Sequence, residues 1–192
     1  MSKDKAIVLR RRFHCYTLLS KNNGIFDAYL AHISQGMIVS PGMIISYVHD
    51  IQRGQRFWVR DYCIEQSPLL FGRDDIVFLH ALLELVACYG TIADIHAELF
   101  SFFEQLCNRS SYVFSSFVKK IVVCVLFTQL GLFPDQTDLF DYHFFLSFSI
   151  DKIDTIDLQL VDESFLERWI AWNITHYPQG RWVKVLPQVL EK

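Results

Sequence analysis

Glycine and proline are scarce in this chain, eight and five among 192 residues. That excludes collagen-like and low-complexity architectures, which depend on one or both. No apolar run approaches the ~20 residues of a membrane-crossing helix. "IVVCVLF" at 121–127 has only the length of a buried helix segment. The charged start "MSKDKAIVLRRRFHC" lacks the apolar stretch and small-residue cleavage site of a secretory leader. Five cysteines, Cys15, Cys63, Cys88, Cys107 and Cys124, are odd in number and dispersed. No Cys-x-x-Cys occurs, so neither a disulfide framework nor a four-ligand zinc site is expected. Reduced thiols in a cytoplasmic protein are the simplest reading, which makes the Asn-x-Ser/Thr matches at Asn108 and Asn173 chance.

Catalytic signatures are missing as well. The chain has no Gly-x-Ser-x-Gly elbow, phosphate-binding glycine loop or His-Glu-x-x-His. Asp74-Asp75 and Asp162-Glu163 stand at helix starts, where capping and the helix dipole account for them. His80 and His96 fall within helices and read as satisfied core or boundary residues. The expectation is a protein that is not an enzyme and needs no cofactor.

What is present is a large apolar fraction, 52%, with seventeen phenylalanines. The net charge of −3 conceals an asymmetry. Residues 1–67 hold nine Lys/Arg and five Asp/Glu, whereas 68–192 hold nine and sixteen. A basic front and an acidic back suggest two modules with different partners. The small total argues against coating nucleic acid by bulk charge alone.

The front reads as β-structure. "KAIVLRRRFHCYTLL" is extended in character, and "KNNG" is a hairpin signal before "IFDAYLAHI", where Phe26, Ala28 and Leu30 share a face opposite Asp27. "MIISYVHDI" and "QRFWVRDYCIEQ" flank an Arg53-Gly54 turn and form a second hairpin. About five strands in some 65 residues fit a small closed barrel, of OB-like type, because closure removes exposed edges. Past Pro68 the pattern turns helical. "RDDIVFLHALLELVACYG" is apolar nearly all round and reads as a central helix ending at Gly90. The next helix carries a stripe of Ile92, Ile95, Leu99, Phe102, Phe103 and Leu106, with Thr91 as N-cap. "SSYVFSSFVKKIVVCVLFTQLG" forms a third, stopped by Gly131 and Pro134, and Asp162 caps a last one that Pro178 halts. Residues 137–160 fit helix and strand equally. The fold class is therefore α+β: a barrel over 1–67 and an all-helical domain over 68–192.

Candidate binding residues cluster in the front. By alternation Arg56, Trp58, Arg60 and Tyr62 share one strand face, while Phe57, Val59 and Cys63 take the other. Arginine is rarely buried unpaired, so that face should be outward and Trp58 at least partly exposed. Basic grooves lined by rings on which bases stack are how such barrels hold single-stranded nucleic acid. Alternatively, Trp58 covers a seam against the helices and the arginines pair with helical acids. Arg10 and Arg12 share a face of the first strand, with Arg11 pointing away, and Lys21 tips the hairpin. Lys119 and Lys120, beside Phe114 and Phe117, lie on the third helix as a solvated face or as a seat for an acidic peptide.

The series "KAIVLRRR", "YTLLSKNNGIFDAYL", "IQRGQRFWVRDYCIEQS", "FVKKIVVCVLFTQLGLFPD" and "ESFLERWIAWNITHYPQGRWVKVLPQVLE" resembles, in order and spacing, the bacterial recombination mediator family RecO. The resemblance covers most of the chain except 137–160. It departs in lacking the zinc cysteines after the Gly-x-x-Pro corner, and in having no basic residue in "AHISQGMIVSPGM", where family members carry a basic loop. The likeness implies a DNA repair and recombination protein that binds single-stranded DNA and anneals strands without covalent catalysis. It further implies recombinase loading with the partner RecR and contact with the acidic tail of single-strand binding protein. An adaptor that keeps the fold but has lost most DNA affinity is the other reading.

Overall fold

In the computed structural model the described residues are 3–30, 38–53, 56–68, 73–90, 96–108, 114–134, 161–176 and the single positions 145, 150, 153, 186 and 190. Five strands come first: β1 (Asp4–Arg12), β2 (Cys15–Ser20), β3 (Gly24–Leu30), β4 (Ile44–Arg53) and β5 (Arg56–Gln66). Four helices follow: α1 (Arg73–Tyr89), α2 (His96–Asn108), α3 (Ser116–Gln129) and α4 (Glu163–His176). The protein is thus α+β, with the sheet N-terminal and the helices after it. The strands close in the order β1-β2-β3-β5-β4. β4 returns to β1, β3 and β5 run parallel, and every other pair is antiparallel.

"KNNG" makes the expected hairpin, with Ser20 opposite Gly24. The β4–β5 hairpin is also present, although Gly54 and Gln55 at its turn lie outside the described residues. The segment read as one extended run instead folds back at Phe13-His14, giving β1 and β2. Nothing in the sequence marks that turn, because it contains neither glycine nor proline and its first residue, Phe13, takes a positive φ of 54°.

Two hydrophobic cores divide the apolar residues by strand face. Ala6, Val8, Tyr16, Leu18, Phe26, Ala28, Ile45, Tyr47 and Val59 fill the barrel. Ile7, Leu9, Leu19 and Ile44, on the outer face, join the helical core instead. One side of the barrel is therefore a floor for the helices, α1 and α2 lying against β1 and β2. Gly42 permits the close fit, since at φ +85° an added Cβ would stand 3.0 Å from Leu79 Cδ2.

Both α1 and α3 are deeply packed, but the more enclosed is α3, where nine consecutive residues from Lys119 to Phe127 are buried. Residues 110–115 do not extend it: Ser115 is its N-cap, accepting from the Val118 N–H at 3.3 Å. Gly131 at φ 70° ends it, as expected, with Leu132 N–H donating to Phe127 C=O at 2.8 Å. Asp162 caps α4 by accepting from Ser164 N–H at 2.9 Å. On α2, Leu99, Phe102, Phe103 and Leu106 are buried, whereas Thr91, Ile92 and Ile95 lie outside the described residues. So does most of 137–160, although Phe145, Ile150 and Ile153 are buried.

At the "KNNG" end of the barrel, Asp4 gathers donors. Its carboxylate accepts from the Ser20 hydroxyl at 2.8 Å, the Asn22 and Asn23 amides at 2.9 and 2.6 Å, and the Tyr47 hydroxyl at 3.1 Å. Burial, partly offset by the Ser20 hydrogen bond and reinforced by the Asp4 charge, pushes the Tyr47 phenol up to about 12. An unfolded phenol titrates near 10, so between pH ~10 and ~12 the unfolded chain releases a proton that the native one keeps. Stability is then intact below pH ~10 and falls as pH rises towards 12, by up to about 1.4 kcal/mol per unit. Urea unfolding at stepped alkaline pH should show this decline, and Tyr47→Phe should flatten it. Tyr62, raised by burial and by Tyr16, contributes in the same sense.

Candidate nucleic-acid interface

Strict alternation along β1 would send Arg10 into the barrel after Ala6 and Val8. The strand avoids this with a bulge: Val8 pairs with Leu18, but Arg10 pairs with Thr17, leaving Leu9 as the extra residue. An inserted residue reverses the facing of everything after it. Arg10 and Arg12 consequently emerge on the outer face, beyond the edge of the helical floor. Arg11, opposite Tyr16, lays its guanidinium over that ring at 5.6 Å and donates to Phe13 C=O at 3.2 Å.

Following the register outward from Arg12 gives one row. Arg12 is opposite Cys15, Cys15 opposite Tyr29, and Tyr29 pairs with Trp58 across the parallel β3–β5 ladder. Residues so paired share a face. Tyr29 and Trp58 stack with centroids 5.1 Å apart and planes at 28°, and Trp58 is 42% exposed. Three strand spacings put Arg12 and Trp58 about 15 Å apart. The next row towards the helices is Arg10, Thr17 and Asp27, linked by hydrogen bonds from Arg10 Nε to Thr17 Oγ1 (3.0 Å) and from Thr17 Oγ1 to Asp27 (2.7 Å). Arg10 is thereby held in place, while Arg12 makes no ion pair among the described residues and projects into solvent.

A second bulge changes the expected composition of the stripe. Tyr47 pairs with Tyr62 and His49 with Val59, so β5 spends three residues where β4 spends two. Tyr62 therefore does not share the face of Trp58. It turns inward against the barrel core, and its hydroxyl is buried without a hydrogen-bond partner among the described residues. Cys63, expected opposite Trp58, is exposed and contacts Ser46 at 2.9 Å. The side chains of Arg56 and Arg60 lie outside the described residues. Lys21 is exposed in the turn at the far end of β2, about 17 Å of strand from the Arg12 row, so it is not brought to the stripe.

The expectation of a solvated α3 face also fails. Lys119 is 3% exposed, with its ammonium 5.9 Å from the centre of the Phe78 ring. Lys120, 9% exposed, binds Glu163 and Glu167 at 2.7 and 2.5 Å and so ties α3 to α4. Burial disfavours its charge, but the hydrogen bonds from both carboxylates outweigh that and raise its pKa. Phe114 is buried edge-on to Phe78, and Phe117 is half-buried against the helical core. These four residues are packing elements, because two acids of α4 and a ring of α1 already occupy the cations.

Between Leu9–Arg12 of β1 and the α1 residues His80, Glu84, Ala87 and Cys88 opens a cavity of about 670 Å³. His80 is exposed at its wall, where a core or boundary position was expected. Arg10 and Arg12 line this cavity as well as the stripe, making the two continuous. Burial, followed by the Glu84 charge, keeps the Cys88 thiol protonated against the opposing influence of Arg10, so it is a poor nucleophile. Among the described residues no three His, Cys, Asp or Glu side chains converge as a metal site, and no helix is long and apolar enough to cross a membrane.

Sequence reasoning missed Tyr29, although the alternation in "IFDAYL" that puts Phe26, Ala28 and Leu30 inside puts Tyr29 outside. It also missed the cavity, which depends on how α1 meets β1. No known protein-family model and no curated protein matches this chain.

Proposed function

We propose that this chain is a single-stranded DNA-binding protein of RecO type, acting in DNA repair and homologous recombination without covalent catalysis. The observation that carries the proposal is the outward Tyr29–Trp58 stack, in register with Arg12 on a closed five-stranded barrel. A single strand needs neutralised phosphates and flat surfaces for unpaired bases, and this face offers both. The closing order β1-β2-β3-β5-β4 supports an OB-type barrel, a fold whose sheet surface serves this purpose. Cytoplasmic action beside RecR and the acidic tail of single-strand binding protein follows from the resemblance of sequence alone.

Asp27, on the same outer face, favours a second reading, a protein adaptor with little DNA affinity. Salt separates the two. Titrating a fluorescent oligonucleotide at stepped salt should give log affinity falling linearly with log salt, with a slope of roughly −0.7 for each phosphate engaged. Two or more contacts are expected from Arg10 and Arg12 together, and Arg12→Ala should reduce the slope by about one contact. A flat dependence would reject the DNA-binding reading in favour of the adaptor.

A further inference from the structure

The β1–β2 turn presents a bulky ring where the backbone favours glycine. Arg12 and Cys15 are the last pair of the ladder, leaving Phe13-His14 as a two-residue loop. Only the first loop residue has positive φ, the pattern of a type II′ turn, which prefers glycine there. A β-carbon in that region is uncommon and disfavoured, and such outliers concentrate at functional sites. Here the turn is clamped: Arg11 donates to the Phe13 carbonyl at 3.2 Å while its guanidinium rests over Tyr16 at 5.6 Å. The ring thus stands clear of the barrel, 92% exposed, more than any other large apolar side chain described.

Its surroundings narrow the possible partner. Residues 10–15 read Arg-Arg-Arg-Phe-His-Cys, with no acid among them. Phe13 follows Arg12 directly, so it marks the end of the row that runs through Cys15 and Tyr29 to Trp58. A strand stacked on Trp58 and Tyr29, with a phosphate at Arg12, would arrive at this tip. Paired bases cannot lie along the aromatic row, because their faces are covered by their neighbours. The first base pair of an adjoining duplex therefore meets an apolar ring set in positive charge, the arrangement by which proteins pry apart base steps.

We infer that Phe13 is a wedge at single-strand/duplex junctions, so that the preferred ligand is a DNA with a duplex end or fork rather than a plain single strand. This inference rests on the single-strand reading above. The test uses the full chain and two probes: a single-stranded oligonucleotide, and a forked duplex with 2-aminopurine at the first paired position. The wild-type protein should bind the fork roughly tenfold more tightly than the single strand, a factor typical of one added stacking contact, and should brighten the 2-aminopurine. Phe13→Ala should abolish both the preference and the brightening while leaving single-strand affinity and its salt slope unchanged, and Phe13→Trp should retain both. Phe13→Gly, which suits the backbone, should behave as Phe13→Ala with no loss of thermal stability, separating loss of the ring from misfolding. Equal affinity for the two probes, or brightening that survives Phe13→Ala, overturns the wedge while leaving the single-strand reading intact. Failure to bind the single strand overturns both. Phe13-dependent sedimentation with phosphatidylserine vesicles, without any junction signal, would overturn the wedge by assigning the ring to a membrane surface.

Discussion

Trp58→Ala is expected to weaken binding of a single-stranded oligonucleotide by roughly 5- to 150-fold, the range corresponding to about 1–3 kcal/mol for one base–aromatic stack. The indole is 42% exposed and its one described ring partner is Tyr29, so truncation removes surface that a base would cover and creates no cavity in the barrel. Thermal stability should change little, because exposed positions away from special contacts shift it by about half a kcal/mol or less. Tyr29→Ala should weaken binding less, since Tyr29 is more covered, and the double variant should fall short of the sum of the two losses because the rings support one another. Fluorescence anisotropy at fixed salt measures this, with the melting temperature of each variant as the control. Full affinity in Trp58→Ala would remove the stack as the basis of binding. A large fall in melting temperature with unchanged affinity would make Trp58 a packing residue instead.

The second large effect concerns folding. Asp4→Ala is expected to lower unfolding free energy by about 2–5 kcal/mol, because it leaves more than one buried donor without its acceptor at about 1–3 kcal/mol each. The hydroxyls of Ser20 and Tyr47, both fully buried residues, donate to Asp4, as do the Asn22 and Asn23 amides of the hairpin turn. These residues come from β2, the turn and β4, so the carboxylate pins three pieces of chain to the start of β1. Asp4→Asn keeps the shape but replaces one acceptor with a donor, and should lose an intermediate amount. In urea the midpoint should fall with little change of slope, the mark of a less stable but equally compact native state. A shift under 1 kcal/mol for Asp4→Ala would mean that water replaces the carboxylate and the hub is not structural.

Much of the fold was legible wherever the signal was local. "KNNG" marked the β2–β3 hairpin, Gly90 and Gly131 marked helix ends, and Asp162 marked a helix start, since each acts through the conformation or hydrogen bonding of its own few residues. The exposure of Trp58 was legible too, from a period-two pattern that holds in β5 up to Val59. The site was less so. Lys119 and Lys120 looked like a solvated face, because the acids that receive Lys120 lie more than forty residues away on α4. Phe13 carried no sign of a turn, since the positive φ is imposed by the strands that flank it.

The amino-acid order by itself determined which segments are strands and helices, where most of them stop, and that aromatic and basic residues alternate with core residues near the N-terminus. Which of those residues meet was decided only in three dimensions. A bulge is a mismatch between two strands, and neither strand encodes it alone. One extra residue at Leu9 turned Arg10 and Arg12 outward, and one more in β5 turned Tyr62 inward, so the stripe is Arg12, Tyr29 and Trp58 rather than the face that alternation predicts. Side-chain direction reverses with every residue of strand, and register is set by partners distant in the chain.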